Sequence, residues 1–435
     1  MSRKVFKTVG ILFVVAALAF SEGVEGIIAS RRDSFLKMHQ KQLFKELNEK
    51  CGLTIVSWDN AEHTQMRYAT SFSDEVLTFC GYRIVEMVFR FTDRLILDSC
   101  QVSIYNRGDC GLWSMARFES TQKGLAQAIG KLTKVRQPQE SKRKLDGTDI
   151  QQLVWRTRGY DMALRWCATK EATEYITIQI EHRNAIQDLR SELRASVRAG
   201  ELNTQIRKEH DGTRWIDVPM VNQGDKGYCV VAVLERLMKY YNSSIDQHIL
   251  AQIMASDPST GTDLEKGLEA IEENAPKLRI TVKNTYTDKS LRTVKELEQV
   301  VNDYNRLASK QKARKVNWDG LRMSGYNLRL FLTEVDDKLF LKMRAKREPG
   351  PKRLMQKVKE SIDRGVPLVW SVIIMPGDLK EQPMASFHAR LINGYNEKTH
   401  EIIYTDSWGA GHERHSMPVE RAWAVTMRLL SIRPR

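Results

Sequence analysis

The sequence predicts an α+β fold organised in two domains, and three observations support this prediction. The chain has 435 residues, which is more than a single domain usually contains. Its composition, 42% hydrophobic and 28% charged, is that of a globular protein with enough apolar residues to build cores. In the first half, strand patterns surround one or two helical patterns. In the second half, helical patterns come first and an antiparallel sheet comes last, which is also typical of α+β domains.

Residues 32–184 are predicted to form a small α+β domain of unknown role. Its first element is an amphipathic helix over residues 32–50, and Tyr82–Phe91 and Leu95–Tyr105 form an antiparallel hairpin by pattern. Residues 120–135 are predicted to be helical. Three further strands are predicted at Leu153–Arg158, Met162–Ala168 and Glu174–His182. Since no catalytic constellation occurs here, an inhibitory prosegment and a substrate-docking domain both stay open.

The N-terminus has the pattern of an export signal. Arg3, Lys4 and Lys7 precede an apolar run, Val9–Phe20, that has small residues at Ala17 and Ala19. The run is shorter than the roughly 20 residues that a membrane span needs. We therefore predict a signal peptide over residues 1–22, a periplasmic or extracellular location, and no stable membrane insertion after cleavage; an uncleaved anchor is the alternative. Disulfides can form in such a compartment, but spacing does not reveal their connectivity.

The chain is strongly basic, with a formal net charge of +14. Its basic clusters carry no interleaved aromatic residues that could stack bases, and no nucleic-acid-binding motif occurs. We therefore predict no nucleic-acid partner. Attraction to an anionic cell-envelope polymer, or a solvated basic face, accounts for the charge more simply.

Residues 215–435 are predicted to form the second domain, joined to the first by a charged helix and polar linker over residues 185–214. An amphipathic helix begins near Cys229. Other helical patterns cover 245–255, 263–275, 291–308 and 352–364. Residues 276–350 are expected to hold basic helical insertions. Strands are predicted at Val366–Ile374, His388–Tyr395, Ile402–Thr405 and Ala424–Ile432.

Cys229 is the best candidate for a nucleophile. Gly224 and Gly227 allow a tight backbone path just before the helix, and Cys229 then lies in its first turn. The unpaired N–H groups and the dipole at that position favour a thiolate, which is the strong nucleophile that acyl transfer requires. Gln223 precedes Cys229 by six residues, so its amide could point back above the sulfur and help to stabilise an oxyanion.

His388 is the best candidate for the base that the thiol needs. It begins an apolar strand, and Asp406-Ser407-Trp408-Gly409 follows the end of the next strand. In an antiparallel pair, the start of one strand lies beside the end of its partner, so His388 and Asp406 are expected to be neighbours. A carboxylate there would fix the imidazole tautomer and stabilise the imidazolium. Trp408 could shield that bond from water.

Two other histidines, His412 and His415, flank Glu413-Arg414 after a glycine-containing turn. A metal ion there would lack cysteine or carboxylate partners at a recognised spacing, so we predict a solvated loop and no metal site. No Walker motif, dinucleotide-binding fingerprint or serine nucleophile elbow occurs, and no cofactor is predicted.

Gln223 with Cys229 at a helix start, a histidine that opens a strand, and Asp-Ser-Trp-Gly together resemble the papain-like cysteine peptidases. Two features are most similar to the bacteriocin-processing branch. They are an aspartate at position 406 and a strand that runs from His388 to Gly394-Tyr395-Asn396. The resemblance covers roughly Val218 to the C-terminus. It implies that Gln223 contributes to the oxyanion hole, Cys229 is the nucleophile, His388 is the base and Asp406 orients it.

The expected activity is thiol-dependent hydrolysis of a peptide or protein substrate through an acyl-enzyme. Two alternatives stay open at this point. The same residues could perform amide transfer, as transglutaminases do, or the chain could be an exported binding protein whose papain-like half is inert.

Overall fold

The computed structural model describes residues 23–70, 73–145, 148–169, 172–186, 199–223, 229–242, 250, 264–276, 278–323, 325, 328–375 and 385–435. The chain forms two compact units, Met1–Glu192 and Leu193–Arg435, which divide inside the predicted linker. The predicted signal peptide at 1–22 and most of the helices predicted at 245–255 and 185–200 lie outside the described residues. Among the helices that are described, none is long and apolar enough to span a membrane.

The N-terminal unit contains four α-helices and ten strands among its described residues. The helices are α1 (Val24–Arg31), α2 (Gln40–Cys51), α3 (Arg107–Cys110) and α4 (Met115–Thr133). The first five strands are β1 (Ser57–Trp58), β2 (Gln65–Ala69), β3 (Thr78–Phe79), β4 (Tyr82–Arg83) and β5 (Glu86–Phe91). The others are β6 (Leu97–Asn106), β7 (Gln139–Leu145), β8 (Thr148–Arg156), β9 (Tyr160–Ala168) and β10 (Thr173–His182).

Eight of these strands form one antiparallel sheet in the order β1-β2-β5-β6-β10-β9-β8-β7. The predicted hairpin is β5–β6, with Phe89 opposite Cys100. Helix α4 packs on β8, β9 and β10 and buries its apolar face, which includes Leu125 and Ile129. The helix predicted over 32–50 is interrupted, because Met38 is extended and the His39 side chain caps a new helix at Gln40.

The C-terminal unit contains eight α-helices and eight strands among its described residues. The helices are α5 (Cys229–Tyr240), α6 (Leu264–Asn274), α7 (Val294–Gln311), α8 (Trp318–Met323), α9 (Leu328–Glu334), α10 (Asp337–Ala345), α11 (Pro351–Ile362) and α12 (Val419–Val425). The first four strands are β11 (Ile206–Lys208), β12 (Thr213–Ile216), β13 (Ile280–Thr287) and β14 (Leu368–Ile374). The last four are β15 (Ser386–Asn396), β16 (Glu401–Thr405), β17 (His415–Pro418) and β18 (Thr426–Pro434).

These eight strands form one antiparallel sheet with β14, β15 and β18 at its centre. Strand β15 pairs with β14 and also with β16, and β17 extends the sheet beyond β16. Helix α5 packs on β15, and every described residue of α5 except Lys239 is buried. A helix on an antiparallel sheet confirms the predicted α+β class, and it brings the start of α5 to the same region as β15 and β16.

Two segments differ from the sequence prediction because they pair with distant strands. Residues 206–216 were predicted to be mostly linker, yet β11 and β12 form a hairpin whose second strand pairs with the end of β15. That pairing requires Gly394, since a Cβ there would lie 2.5 Å from the Arg214 carbonyl oxygen. Within the predicted helical insertion 276–350, β13 is an edge strand that pairs along β18. The strand predicted from Ala424 begins at Thr426, after α12.

Candidate active site

Cys229 is the first residue of helix α5, and only 8% of its surface is exposed. Burial alone would raise the pKa of its thiol. The hydrogen bond and the charge of His388 oppose this effect, and the backbone N–H groups of Ala389 and Val230 add to the opposition. Together they lower the pKa of the Cys229 thiol below its ordinary value. The sulfur is therefore held in surroundings that favour the thiolate.

His388 lies on β15, opposite Val372 of β14, and its side chain is buried. Its Nε2 atom lies 3.0 Å from Oδ1 of Asp406. Burial alone would lower the pKa of the imidazole, but hydrogen bonds to Asp406 and Cys229 raise it above its ordinary value. The ring thus contacts the thiol and the carboxylate together, and because Nε2 faces Asp406, Nδ1 remains for the sulfur.

Asp406 follows the last residue of β16 and has no exposed surface. The strand register explains its place beside His388, since Leu391 of β15 is opposite Thr405 of β16. Burial alone would raise the pKa of this carboxyl, but the Arg390 guanidinium and the His388 ring lower it to about 2. Asp406 is therefore ionised at neutral pH.

Gln223 is bound to the same loop as Asp406. Its backbone N–H donates to the carbonyl oxygen of Ser407 over 2.8 Å, which fixes the residue beside the Asp-Ser-Trp segment. The side chain is buried, and its Oε1 atom has no hydrogen-bond partner among the described residues. Residues 224–228, which join Gln223 to Cys229, lie outside the described part of the chain.

Trp408 covers the imidazole of His388 directly. Its ring stacks on that of His388 with centroids 4.2 Å apart and planes 8° from parallel. The same indole meets the His412 ring edge-on at 5.6 Å. The sequence predicted a cover over the bond between His388 and Asp406, whereas the structure has the indole on the face of the imidazole.

Arg390 is a site residue that sequence reasoning missed. It lies two positions after His388 on β15, so both side chains are on the same face of the sheet. Its Nε donates to Oδ1 of Asp406 over 2.9 Å, and its guanidinium lies 4.7 Å from the centre of the Tyr404 ring. A buried arginine in an otherwise apolar strand needs an acidic partner, and that rule could have identified the pair.

Arg236 is a second residue that was missed. It lies seven positions after Cys229 on α5, two helical turns along the same face, and it is completely buried. Its guanidinium donates to three backbone carbonyl oxygens and one hydroxyl: Asp406 O (2.6 Å), Pro219 O (2.9 Å), Val218 O (3.4 Å) and Thr405 Oγ1 (2.6 Å). The helix that carries the thiol is thereby bonded to the segment before Gln223 and to the backbone of Asp406.

The segment with His412 and His415 is less exposed than the solvated loop that the sequence predicted. Both are partly buried, and His415 begins β17. Their ring centroids are 5.3 Å apart, and the backbone N–H of Asp406 donates to the carbonyl oxygen of His412. The fold places the Asp406 carboxylate beside these histidines, which their spacing in the sequence did not predict.

A thiol at the head of a helix, an imidazole on the adjoining sheet and a carboxylate behind it form the arrangement of a papain-like cysteine peptidase. Residues 337–429 match the model of the Peptidase_C39 like family. This match confirms the relationship to the papain-like superfamily and is consistent with its bacteriocin-processing branch. The match supports a function of the cysteine peptidase type for the C-terminal unit.

The matched segment contains His388 and Asp406 but begins after Gln223 and Cys229. A search of curated proteins gives no match to the chain. The roles of the individual residues therefore depend on the geometry described above.

Proposed function

We propose that this chain is an exported cysteine peptidase that hydrolyses peptide bonds through a thiol, an imidazole and a carboxylate. The observation that carries the proposal is the continuous contact from Cys229 through His388 to Asp406. The pKa of the thiol is lowered and that of the imidazole is raised in spite of burial, as in a thiolate–imidazolium pair. Such a pair supports nucleophilic attack at neutral pH.

In the proposed reaction, the Cys229 thiolate attacks the carbonyl carbon of the substrate while the imidazolium of His388 stays beside it. His388 then gives its proton to the leaving amine, and an acyl-enzyme remains on the sulfur. The neutral imidazole next takes a proton from water, which attacks the thioester and restores the thiolate–imidazolium pair. Asp406 keeps the ring in the orientation that both proton transfers require.

Two further residues support this chemistry. The Gln223 side-chain amide and the Cys229 backbone N–H are proposed to donate to the developing oxyanion. The buried position of Gln223 and its backbone bond to Ser407 support this role, because a donor must be fixed in advance to be effective. Trp408, stacked on His388, keeps water from one face of the imidazole.

The direct test is site-specific alkylation followed by a cleavage assay. Iodoacetamide at neutral pH should modify Cys229 before Cys80 and Cys100, because burial raises the pKa of both of those thiols. A peptide-library assay should show cleavage by the parent and loss of at least about 10³-fold in the Cys229→Ala variant. The matched control is Cys110→Ala, at a partly buried cysteine of the N-terminal unit.

If Cys229→Ala cleaves as fast as the parent, the proposed mechanism is wrong. Product analysis in the presence of an added amine separates hydrolysis from amide transfer, since a transferase would join the amine to the acyl group. A thiol no more reactive than that of a free cysteine would instead favour the inert binding protein.

We further propose that the mature chain acts outside the cytoplasm, where its basic surface attracts an anionic envelope polymer. The pattern at residues 1–22 and the net charge of +14 support this. Fractionation of cells that express the full chain should recover the processed protein outside the cytoplasm. A truncated chain that begins after residue 205 should gain activity if the N-terminal unit inhibits and lose it if that unit docks substrate.

A further inference from the structure

Asp406, His412 and His415 form a compact cluster behind the catalytic imidazole. Each offers one ligand atom, and the three atoms lie within 4.8 Å of one another. Backbone hydrogen bonds fix this arrangement. The Asp406 N–H donates to the His412 carbonyl oxygen over 3.1 Å, and His415 is paired with Tyr404 across β17 and β16.

Two polar atoms of the cluster are buried without a hydrogen-bond partner in the part of the chain that the structure describes. They are Oδ2 of Asp406 and Nε2 of His415. Asp406 has no exposed surface, and its other oxygen, Oδ1, already contacts Arg390 and His388. A buried polar atom left unsatisfied costs about 1–3 kcal/mol, which a ligand between the two atoms would relieve.

The chemistry of the cluster suits a divalent transition-metal ion. Two imidazoles and a carboxylate are ligands that zinc accepts, and bonds of about 2.0–2.2 Å would require ligand atoms roughly 3.4 Å apart. The ligand atoms, which lie within 4.8 Å of one another, would therefore move closer together on binding. Arg390 is a nearby cation that weakens binding, and Glu413, between the two histidines, partly offsets it.

We propose that Asp406, His412 and His415 bind a divalent ion of the zinc class through Oδ2 of Asp406, and that this ion draws negative charge from the carboxylate whose Oδ1 holds His388. Binding would then switch off the peptidase, a consequence that rests on the function proposed above. The two sites share Trp408, which stacks on His388 and meets the edge of His412. An ion at His412 thus lies one ring away from the catalytic imidazole.

Binding is measured first, without any dependence on activity. The full chain carrying Cys229→Ala, which removes direct coordination by the catalytic thiol, is titrated with zinc chloride in a calorimeter. We expect affinity to fall at least about tenfold in His412→Gln and in His415→Gln, because even residues that only support ligands contribute that much. The matched control is His400→Gln, at an exposed histidine in the turn between β15 and β16.

Equal affinity in all four proteins would overturn the metal site. Each variant's folding is checked by circular dichroism, and two separate histidines are tested so that one misfolded variant does not decide the result. Visible absorption of added Co²⁺ gives a second readout, and bands of a four-coordinate ion should appear in the parent and in His400→Gln alone. An octahedral spectrum in every protein would contradict the site.

The effect on the active site is measured in the protein with its thiol intact. Zinc should inhibit peptide cleavage and slow alkylation of Cys229, and the concentration for half effect should rise at least about tenfold in His415→Gln. Unchanged inhibition in that variant would mean that zinc binds the thiol directly, which overturns inhibition through this site. Calorimetric binding without cleavage by any preparation would contradict the proposed function and leave the metal site standing.

Discussion

Arg390 and Asp406 form a buried ion pair whose energy can be measured with a double-mutant cycle. The variants are Arg390→Met, which keeps the packing of the stem, Asp406→Asn, which keeps the shape of the carboxyl group, and the two combined. Both side chains are nearly or completely buried, and the donor–acceptor distance is 2.9 Å. Removing one partner of such a pair leaves an uncompensated buried charge.

The expected magnitudes follow from that geometry. Folding lowers the pKa of Asp406 from 3.8 to about 2, so its surroundings favour the carboxylate by about 2 kcal/mol. Each single variant should lower the free energy of unfolding by about 3–5 kcal/mol. The double variant should be destabilised by less than the sum of the singles, with a coupling energy of about 2–3 kcal/mol.

The assay must report on the C-terminal unit alone, because the chain has two units. Hydrogen exchange of peptides from β15 and β16 along a urea series meets this requirement. A coupling energy below about 0.5 kcal/mol would refute the claim that this pair matters, since unconnected sites add to within that amount.

Four further predictions concern the same site. Arg236→Met should lower the free energy of unfolding of the unit by about 2–4 kcal/mol in the same exchange assay, because the variant loses the hydrogen bonds of the guanidinium. Burying that charge is itself unfavourable and lowers the pKa of Arg236 to about 10, but the lost hydrogen bonds outweigh this cost; an unchanged stability would contradict its bonding role. The Asp406 carboxylate should contribute about 2 kcal/mol to the free energy of unfolding above pH 4, and this contribution is lost as the pH falls towards 2. The stability of Asp406→Asn should not show this loss. The profile of kcat/KM against pH should be bell-shaped. Protonation of the Cys229 thiolate causes the fall on the acid side, below the ordinary thiol pKa of 9.0, and deprotonation of His388 causes the fall on the alkaline side, above 6.5; a single limb would contradict the ion pair. Trp408→Ala should lower kcat/KM about five- to tenfold, which corresponds to the energy of one aromatic stacking contact. Trp408→Phe keeps an aromatic ring and should retain most of the parent's kcat/KM; an equal loss in both variants would point to a fold defect.

The local parts of this fold can be predicted from the sequence, because each depends on a pattern within a few residues. The helix after Cys229 follows from apolar spacing, and all six residues that define the pattern are buried: Val230, Val233, Leu234, Leu237, Met238 and Tyr241. The pairing rule for antiparallel strands likewise brings His388 near Asp406. Both inferences need no knowledge of how distant segments meet.

The parts that could not be predicted depend on distant segments of the chain. Strand β13 has an irregular burial pattern and becomes a strand only because β18 provides hydrogen-bond partners. The contact of Arg236 with the backbone of Asp406 joins residues 170 positions apart. The carboxylate next to His412 and His415 is similarly supplied by chain folding, since no metal-binding motif has this spacing.

The edge strand β13 has a practical consequence for recombinant work. The family match begins at residue 337, well after β13, whose residues cover one side of β18. A fragment cut at the match would expose an open row of amide and carbonyl groups along β18, and such unprotected edges promote aggregation. It would also contain the imidazole without the thiol. Insolubility or inactivity of that fragment would therefore carry no information about the proposed activity, and expression boundaries should start no later than β11.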